Sequence, residues 1–372
     1  MKKNYFMLAA AAMMFAACSQ SDLVNEIEEA APQAIEFSTF TNKTTRAVEN
    51  NSGANYSDAL EGHHTTFKVW ASKQVTDNTV VTPSTTKYLS VYNGSTVSYG
   101  NAWVASPLKF WDKTATSYEF YAAAPAELSW NAANTTGTAG TLSLNNFSLT
   151  GVNNTTSTDS WKGLADKDLM IAAPCTTNKG DYDAVGLNFI HILSRLNIKV
   201  KSSYNDGDSD ATNDPEIKLT GLNVCGLKNK GNFNEATAAA VQAGTTARWT
   251  PLDGTYTLAA QVPTEELSAT AVTTHKYLII PQAQKNVSAS ANVASAPAGE
   301  EAYIQIQYTV DGEAYETYYS LAQAFGIAKG SDLNFNEGWQ NTLTIDIVPN
   351  VISFTGNVAT WGDAGDKNVT VN

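Results

Sequence analysis

The chain has 372 residues, a net charge of −13, 16% charged residues and 43% hydrophobic residues. That length allows two domains of ordinary size, and the apolar content supports a sizeable core and excludes a disordered chain. The acidic balance argues against nucleic acid as a partner and against a polybasic membrane patch.

Lys2 and Lys3 precede an almost wholly apolar run, Tyr5 to Ala17, that ends in small residues. This is the order of an export signal. The run is shorter than the ~20 apolar residues that span a bilayer, and no later stretch approaches that length, so no transmembrane helix is expected. Phe15-Ala16-Ala17-Cys18 closes the run and resembles a bacterial lipobox, in which the cysteine thiol takes up a diacylglycerol. Phe15 stands where that pattern prefers Leu, and the other reading is a plain secretory signal with an incidental cysteine. Residues 1–18 are accordingly read as a lipoprotein signal peptide with Cys18 as the lipidation site. Residues 19–34, with Asp22, Glu26, Glu28 and Glu29, form an acidic tether.

From residue 35 onward, period-two patterns recur. "IEFSTF", "TFKVWAS", "SYEFYAA", "TLSLNNFSL", "DLMIAA", "LNIKVKS", "KYLIIPQ", "YIQIQYTV" and "TLTIDIV" follow in chain order. In "YIQIQYTV", Ile304, Ile306, Tyr308 and Val310 alternate with Gln305, Gln307 and Thr309, as a half-buried antiparallel strand requires. Many short strands separated by turn signals predict β-sandwiches. Helical signal is confined to 234–243 and 320–329, read as short loop decorations. The polar segment 202–216, with Gly207 and Pro215, is the expected boundary. It divides an N-terminal domain, 35–204, from a C-terminal domain, 205–372. Residues 131–140 and 288–300 read as long loops.

Three cysteines are present. With Cys18 acylated, Cys175 and Cys225 are left, able to pair in an oxidising envelope but expected as two semi-buried thiols. Their spacing fits neither a metal knuckle nor a redox motif. Asp206, Asp208 and Asp210 have the spacing of a calcium loop. Ala211 and Ile217, however, occupy the positions that need Gly and an acidic ligand, so the segment reads as a solvated linker. His63 and His64, adjacent on an extended chain, point to opposite faces and read as a surface loop. His191 reads as a hydrogen-bonded core histidine, and His275 stands alone.

No nucleophile elbow, zinc motif, P-loop or dinucleotide fingerprint is found. Catalytic, metal and cofactor sites are therefore assigned to no residue, and the chain is read as non-enzymatic. Trp103, Trp111, Trp130 and Trp161 are read mainly as core aromatics, with stacking on sugar rings as the alternative. The chain has three arginines, Arg46, Arg195 and Arg248. Arg195 lies in a core segment, whereas Arg46 lies in the polar stretch "TNKTTRAVENNSG", the kind of segment that proteases cut.

Several segments together resemble the fimbrillin-like proteins of Bacteroidales, the subunits of type V pili. They are the lipobox with "AIEFSTFTNKTTRA", "LKFWDKTATSYEFYAAAPAE", "DKDLMIAAP" with "VGLNFIHILSRLNIKV", "YLIIPQ", and "FNEGWQNTLTIDI" with "ISFTGNVATWGD". Trp339-Gln340-Asn341-Thr342 departs from the family's usual aromatic. The resemblance implies an all-β fold of two tandem transthyretin-like (Ig-like, Greek-key) β-sandwich domains. It also implies a lipoprotein exported to the cell outer membrane, cut after Arg46 so that Ala47 becomes the N-terminus. The removed strand would carry Ile35 and Phe37 inward, and a strand from a neighbouring subunit would take its place. "KNVTVN" (367–372), or the strand before it, is the candidate donor.

The expected protein is a structural fimbrial subunit or fimbrillin-like adhesin without a cofactor. Its expected partners are other pilin subunits, the outer membrane through its lipid, and a host or bacterial surface glycan or protein. The alternative is a glycan-binding surface lipoprotein of a nutrient-uptake system, with exposed aromatics along one face.

Overall fold

The computed structural model describes residues 32–41, 60, 64–77, 85–133, 141–149, 168–178, 180–204, 214–235, 248–260, 266–269, 273–287, 292–293, 301–349, 351–360 and 369–371. Among these, the first part of the chain forms β1 (Phe37–Thr41), β2 (Thr66–Asp77), β3 (Thr85–Tyr99), β4 (Trp103–Ser106), β5 (Ser117–Ala124), β6 (Asn131–Ala133), β7 (Thr141–Ser148), β8 (Met170–Asn178) and β9 (Val185–His191). Then follow β10 (Ser194–Lys201), β11 (Ile217–Lys228), β12 (Lys230–Asn234), β13 (Trp249–Pro251), β14 (Thr255–Ala260), β15 (Thr273–Ile279), β16 (Gln282–Lys285) and β17 (Asn292–Val293). The last part holds β18 (Tyr303–Val310), β19 (Glu313–Ser320), α1 (Leu321–Ala324), β20 (Asp332–Phe335), β21 (Trp339–Val348), β22 (Val351–Thr360) and β23 (Val369–Val371). The fold is all-β, and every strand quoted from the alternation patterns forms.

Seven strands close a barrel in the order β1-β4-β3-β2-β5-β8-β9. Its interior is packed by Phe67, Val69 and Ala71 of β2, Phe120, Ala122 and Ala124 of β5, and Leu187 and Phe189 of β9. The second half of β5 is buried on both faces. Tyr121 and Ala123 point out of the barrel into another cluster, with Trp70, Trp130, Leu142, Phe233, Trp249 and Leu278. That cluster underlies the four-stranded sheet β13-β12-β7-β6, which takes strands from both sides of the polar segment 202–216.

Two five-stranded sheets, β15-β10-β21-β22-β23 and β14-β11-β18-β19-β17, share one core in the second part of the chain. Leu196, Ile198 and Val200 of β10 and Leu343, Ile345 and Ile347 of β21 meet Leu222 and Val224 of β11 and Ile304 and Ile306 of β18. β10 precedes residue 204, yet its inward side chains belong to this core. It lies parallel to β21 and antiparallel to β15.

The helical expectation over 320–329 reduces to a single turn, capped by the Ser320 hydroxyl, which accepts from the Gln323 N–H. Gly326, at a positive φ just past the Phe325 C-cap, stops its extension. The expectation over 234–243 fails at its start, since Asn234 ends β12, and residues 236–243 lie outside the described residues. Among the described residues no helix is long and apolar enough to cross a membrane.

Candidate functional site

Ile35 and Phe37 alternate with Glu36 and Ser38, which puts both on one face of an extended chain. Ile35 is 1% exposed and Phe37 6%. The Phe37 ring meets Phe67, Tyr92 and Phe120 at centroid distances of 6.0, 5.9 and 6.1 Å. Burial of side chains this size stabilises by about 1.5–3 kcal/mol each.

The backbone of this segment is held unequally on its two sides. Toward β9 the pairing is parallel and continuous, from Phe37 opposite Val185 to Thr41 opposite Phe189. The Val185 N–H donates to the Glu36 carbonyl at 2.8 Å. Toward β4 only Phe37 and Trp103 pair. Upstream, the Ile35 N–H donates to the Lys109 carbonyl and the Trp111 N–H to the Gln33 carbonyl, both at 2.9 Å. The Gln33 amide donates to the Tyr182 carbonyl at 2.8 Å. Parallel pairing is slightly weaker per residue than antiparallel, and every other pairing within the barrel is antiparallel. The thinnest seam of the barrel is the single residue pair between β1 and β4. A segment withdrawn from it would leave two strand edges, β4 and β9, over a slot lined by Phe67, Tyr92 and Phe120. Those are the physical requirements for accepting a donated strand.

The far end of β9 is pinned by a polar cluster. Asp168 accepts from His191 Nδ1 at 2.6 Å through Oδ2, and its carbonyl accepts from His64 Nε2 at 2.7 Å. Burial lowers the His64 pKa, against the opposing pull of Asp168. His64 thus corrects the surface-loop expectation. It is 5% exposed and follows the buried Leu60, whose carbonyl accepts its backbone N–H. His63 lies outside the described residues. His191 is hydrogen-bonded, as its context implies.

Cys18, Arg46, Ala47, Trp161 and Asp206, Asp208 and Asp210 also lie outside the described residues. Trp103, Trp111 and Trp130 are buried, and Trp130 donates its indole N–H to the Pro125 carbonyl at 2.9 Å. Trp130 therefore presents no ring for stacking on a sugar. Cys175 is a half-buried free thiol and Cys225 a buried one. Among the described residues no group of three or more His, Cys, Asp or Glu side chains forms a metal site.

Sequence reasoning missed β3 and hence Tyr92, one wall of the slot. The middle of β3 holds Asn93-Gly94, a dipeptide common in hairpin turns. In the fold Gly94 takes a positive φ of 72° beside register shifts against β2, so the dipeptide marks a bulge inside a long strand.

A profile described as Fimbrillin-like matches residues 45–361. No curated protein matches the chain. Similar solved structures include candidate cell adhesion proteins from Bacteroides uniformis and Bacteroides ovatus. The first is 16% identical, covering 88% of this chain and 98% of that one, with a TM-score of 0.43. The second is 15% identical, covering 90% and 100%, with a TM-score of 0.43. The tip fimbrial protein Mfa3 from Porphyromonas gingivalis is 8% identical, covering 79% and 94%, with a TM-score of 0.35.

Proposed function

The chain belongs to the fimbrillin-like family, and from that membership we propose that it is a cell-surface fimbrial subunit or adhesin, exported as a lipoprotein through Cys18 and assembled by strand exchange after cleavage between Arg46 and Ala47. The family supports a structural, non-enzymatic role at the cell surface, with sibling subunits as partners. The observation that carries strand exchange is the position of β1. It joins β4 to β9, and its loss breaks none of the pairings among the other six barrel strands. Arg46 follows the end of β1 at Thr41 by five residues, so a cut there releases the whole strand together with the lipidated segment. A β-strand from a second subunit then restores both the hydrogen bonds and the buried apolar surface.

The test is the N-terminus and intact mass of the protein from outer membranes of its own cells. Assembly by this route gives a mature start at Ala47 and heat-labile ladders on a gel. Arg46→Ala is expected to keep the lipid on Cys18 and abolish the ladder. A population that begins at Ser19 without lipid, or ladders unchanged by Arg46→Ala, would overturn the route.

A further inference from the structure

The outward face of β11, β18 and β19 carries an ordered polar strip. Register places Asn223, Gln305 and Tyr318 side by side across the three strands, and Gly221, Gln307 and Glu316 in the next row. Tyr303 stands beside Tyr318, with ring centroids 6.1 Å apart and planes at 57°. All six side chains of the strip are at least partly open to solvent. They are nevertheless tied together. The Asn223 amide donates to Gln305 Oε1 at 2.9 Å. Gln305 Nε2, Gln307 Nε2 and the Tyr318 hydroxyl all donate to one carboxylate oxygen, Glu316 Oε1. Gly221 has no side chain, and the Gln307 amide lies in the space that a Cβ there would take.

Fixing several long side chains at an open surface costs rotamer entropy, and sheet faces that only meet water need no such network. This one leaves Glu316 Oε2 outside the three bonds, holds amide groups beside one another in fixed orientation, and sets two tyrosine rings next to them. Glu316 is the one charged member of the strip. Its pKa is lowered by the hydrogen bonds from Gln305 and Tyr318, so it acts as an acceptor. Lys218, further along β11, is engaged with Glu216 at 2.5 Å. An anionic ligand would therefore meet the Glu316 carboxylate on a strip whose own side chains offer no positive charge. A chain of neutral hydroxyls with apolar C–H faces finds acceptors, donors and rings together.

We infer that this face, built on Asn223, Tyr303, Gln305, Gln307, Glu316 and Tyr318, is a binding platform for a neutral saccharide chain. The platform deepens the surface-adhesin reading by naming a ligand class, and it uses tyrosines where the buried Trp130 offers nothing.

The test is an array of neutral and sialylated oligosaccharides probed with the full chain, followed by titration of the best neutral binder. Neutral saccharides should bind and sialylated ones should not. Tyr318→Ala and Gln305→Ala should each weaken binding at least tenfold. Tyr318→Phe, which keeps the ring and loses the bond to Glu316, should fall between them and the native chain. Tyr315→Ala, on the opposite face of β19, should change nothing. Far-UV circular dichroism checks the fold of each variant, and Gln307→Ala replaces any that fails. Absence of neutral binding, equal binding by the variants, or preference for sialylated chains overturns the platform. A chain that forms ladders but binds no neutral saccharide sinks the platform alone, and one that binds but never forms ladders sinks the assembly route alone.

Discussion

Phe37 stands edge-on to Phe120, with ring centroids 6.1 Å apart and planes at 83°. The first strand thereby reaches across the barrel to β5, which is not its hydrogen-bonded neighbour. Truncating a buried Phe to Ala costs about 3–5 kcal/mol. Phe37→Ala should lower the denaturant midpoint of the full-length chain by that equivalent. Glu36→Ala, at an exposed position, should stay within about 0.5 kcal/mol. Equal midpoints for the two variants would show that β1 contributes nothing to the core.

Arg248 is buried against Glu337, its Nε donating to Glu337 Oε2 at 2.8 Å, and Glu235 lies close enough to feel its charge. Two buried carboxyls share one guanidinium. Burial raises the pKa of Glu337 to about 7, against the pull of Arg248, and raises that of Glu235. Both carboxyls bind protons more tightly in the folded chain than in the unfolded one. The contribution of Glu337 to stability is full below about pH 4.5 and is lost as pH rises through about 7, and Glu235 acts in the same direction. Glu337→Gln should flatten that slope in denaturation series between pH 4.5 and 8. Arg248→Met should cost about 3–5 kcal/mol at pH 8, because it leaves a buried carboxylate without its partner.

His275 is fully buried on β15, and neither ring nitrogen has a hydrogen-bond partner. Burial depresses its pKa to about 4. The folded chain resists protonation that the unfolded chain accepts at about 6.5, so stability present above pH 6.5 is lost as pH falls toward 4. His275→Leu should remove this loss. The variant should melt higher than the native chain at pH 5, and the difference should shrink at pH 8. A melting difference that does not change with pH would count against the assignment.

Gly356 on β22 lies against α1. A Cβ there would sit 2.9 Å from the Phe325 Cα and 2.8 Å from its ring. The backbone atom cannot swing aside, so Gly356→Ala should cost about 1–3 kcal/mol by overpacking. Gly312→Ala meets no atom within 4 Å but sits at a φ of +81°, so its cost is conformational alone and should be the smaller. Thermal melts of the two variants distinguish the mechanisms.

Local alternation carried much of the fold. β18 and β21 bury every second residue, as "YIQIQYTV" and "TLTIDIV" imply. Alternation fails where both faces of a strand are covered. β10 buries Arg195 and Asn197 as well as Leu196 and Ile198, and the end of β5 is enclosed by two cores. The change of core falls between Leu193 and Leu196, before the polar segment 202–216 begins. At the candidate site, the inward placement of Ile35 and Phe37 was legible from period two. Their neighbours on β9 and β4 were not, because contacts so distant in the chain leave no local pattern. His64 was misread for a related reason: its partner, Asp168, lies far along the chain.

The pairing of Phe37 with Val185 also sets an order of events. β1 is made first among the barrel strands, yet its longer edge has nothing to pair with until β9 has been made and has docked on β8. Contacts of such long sequence separation cost loop-closure entropy before they reward it. Substitutions in β1 should therefore hasten unfolding and leave the refolding rate nearly untouched. A barrel that lacks only β1, the object that excision would produce, keeps every pairing among its other six strands.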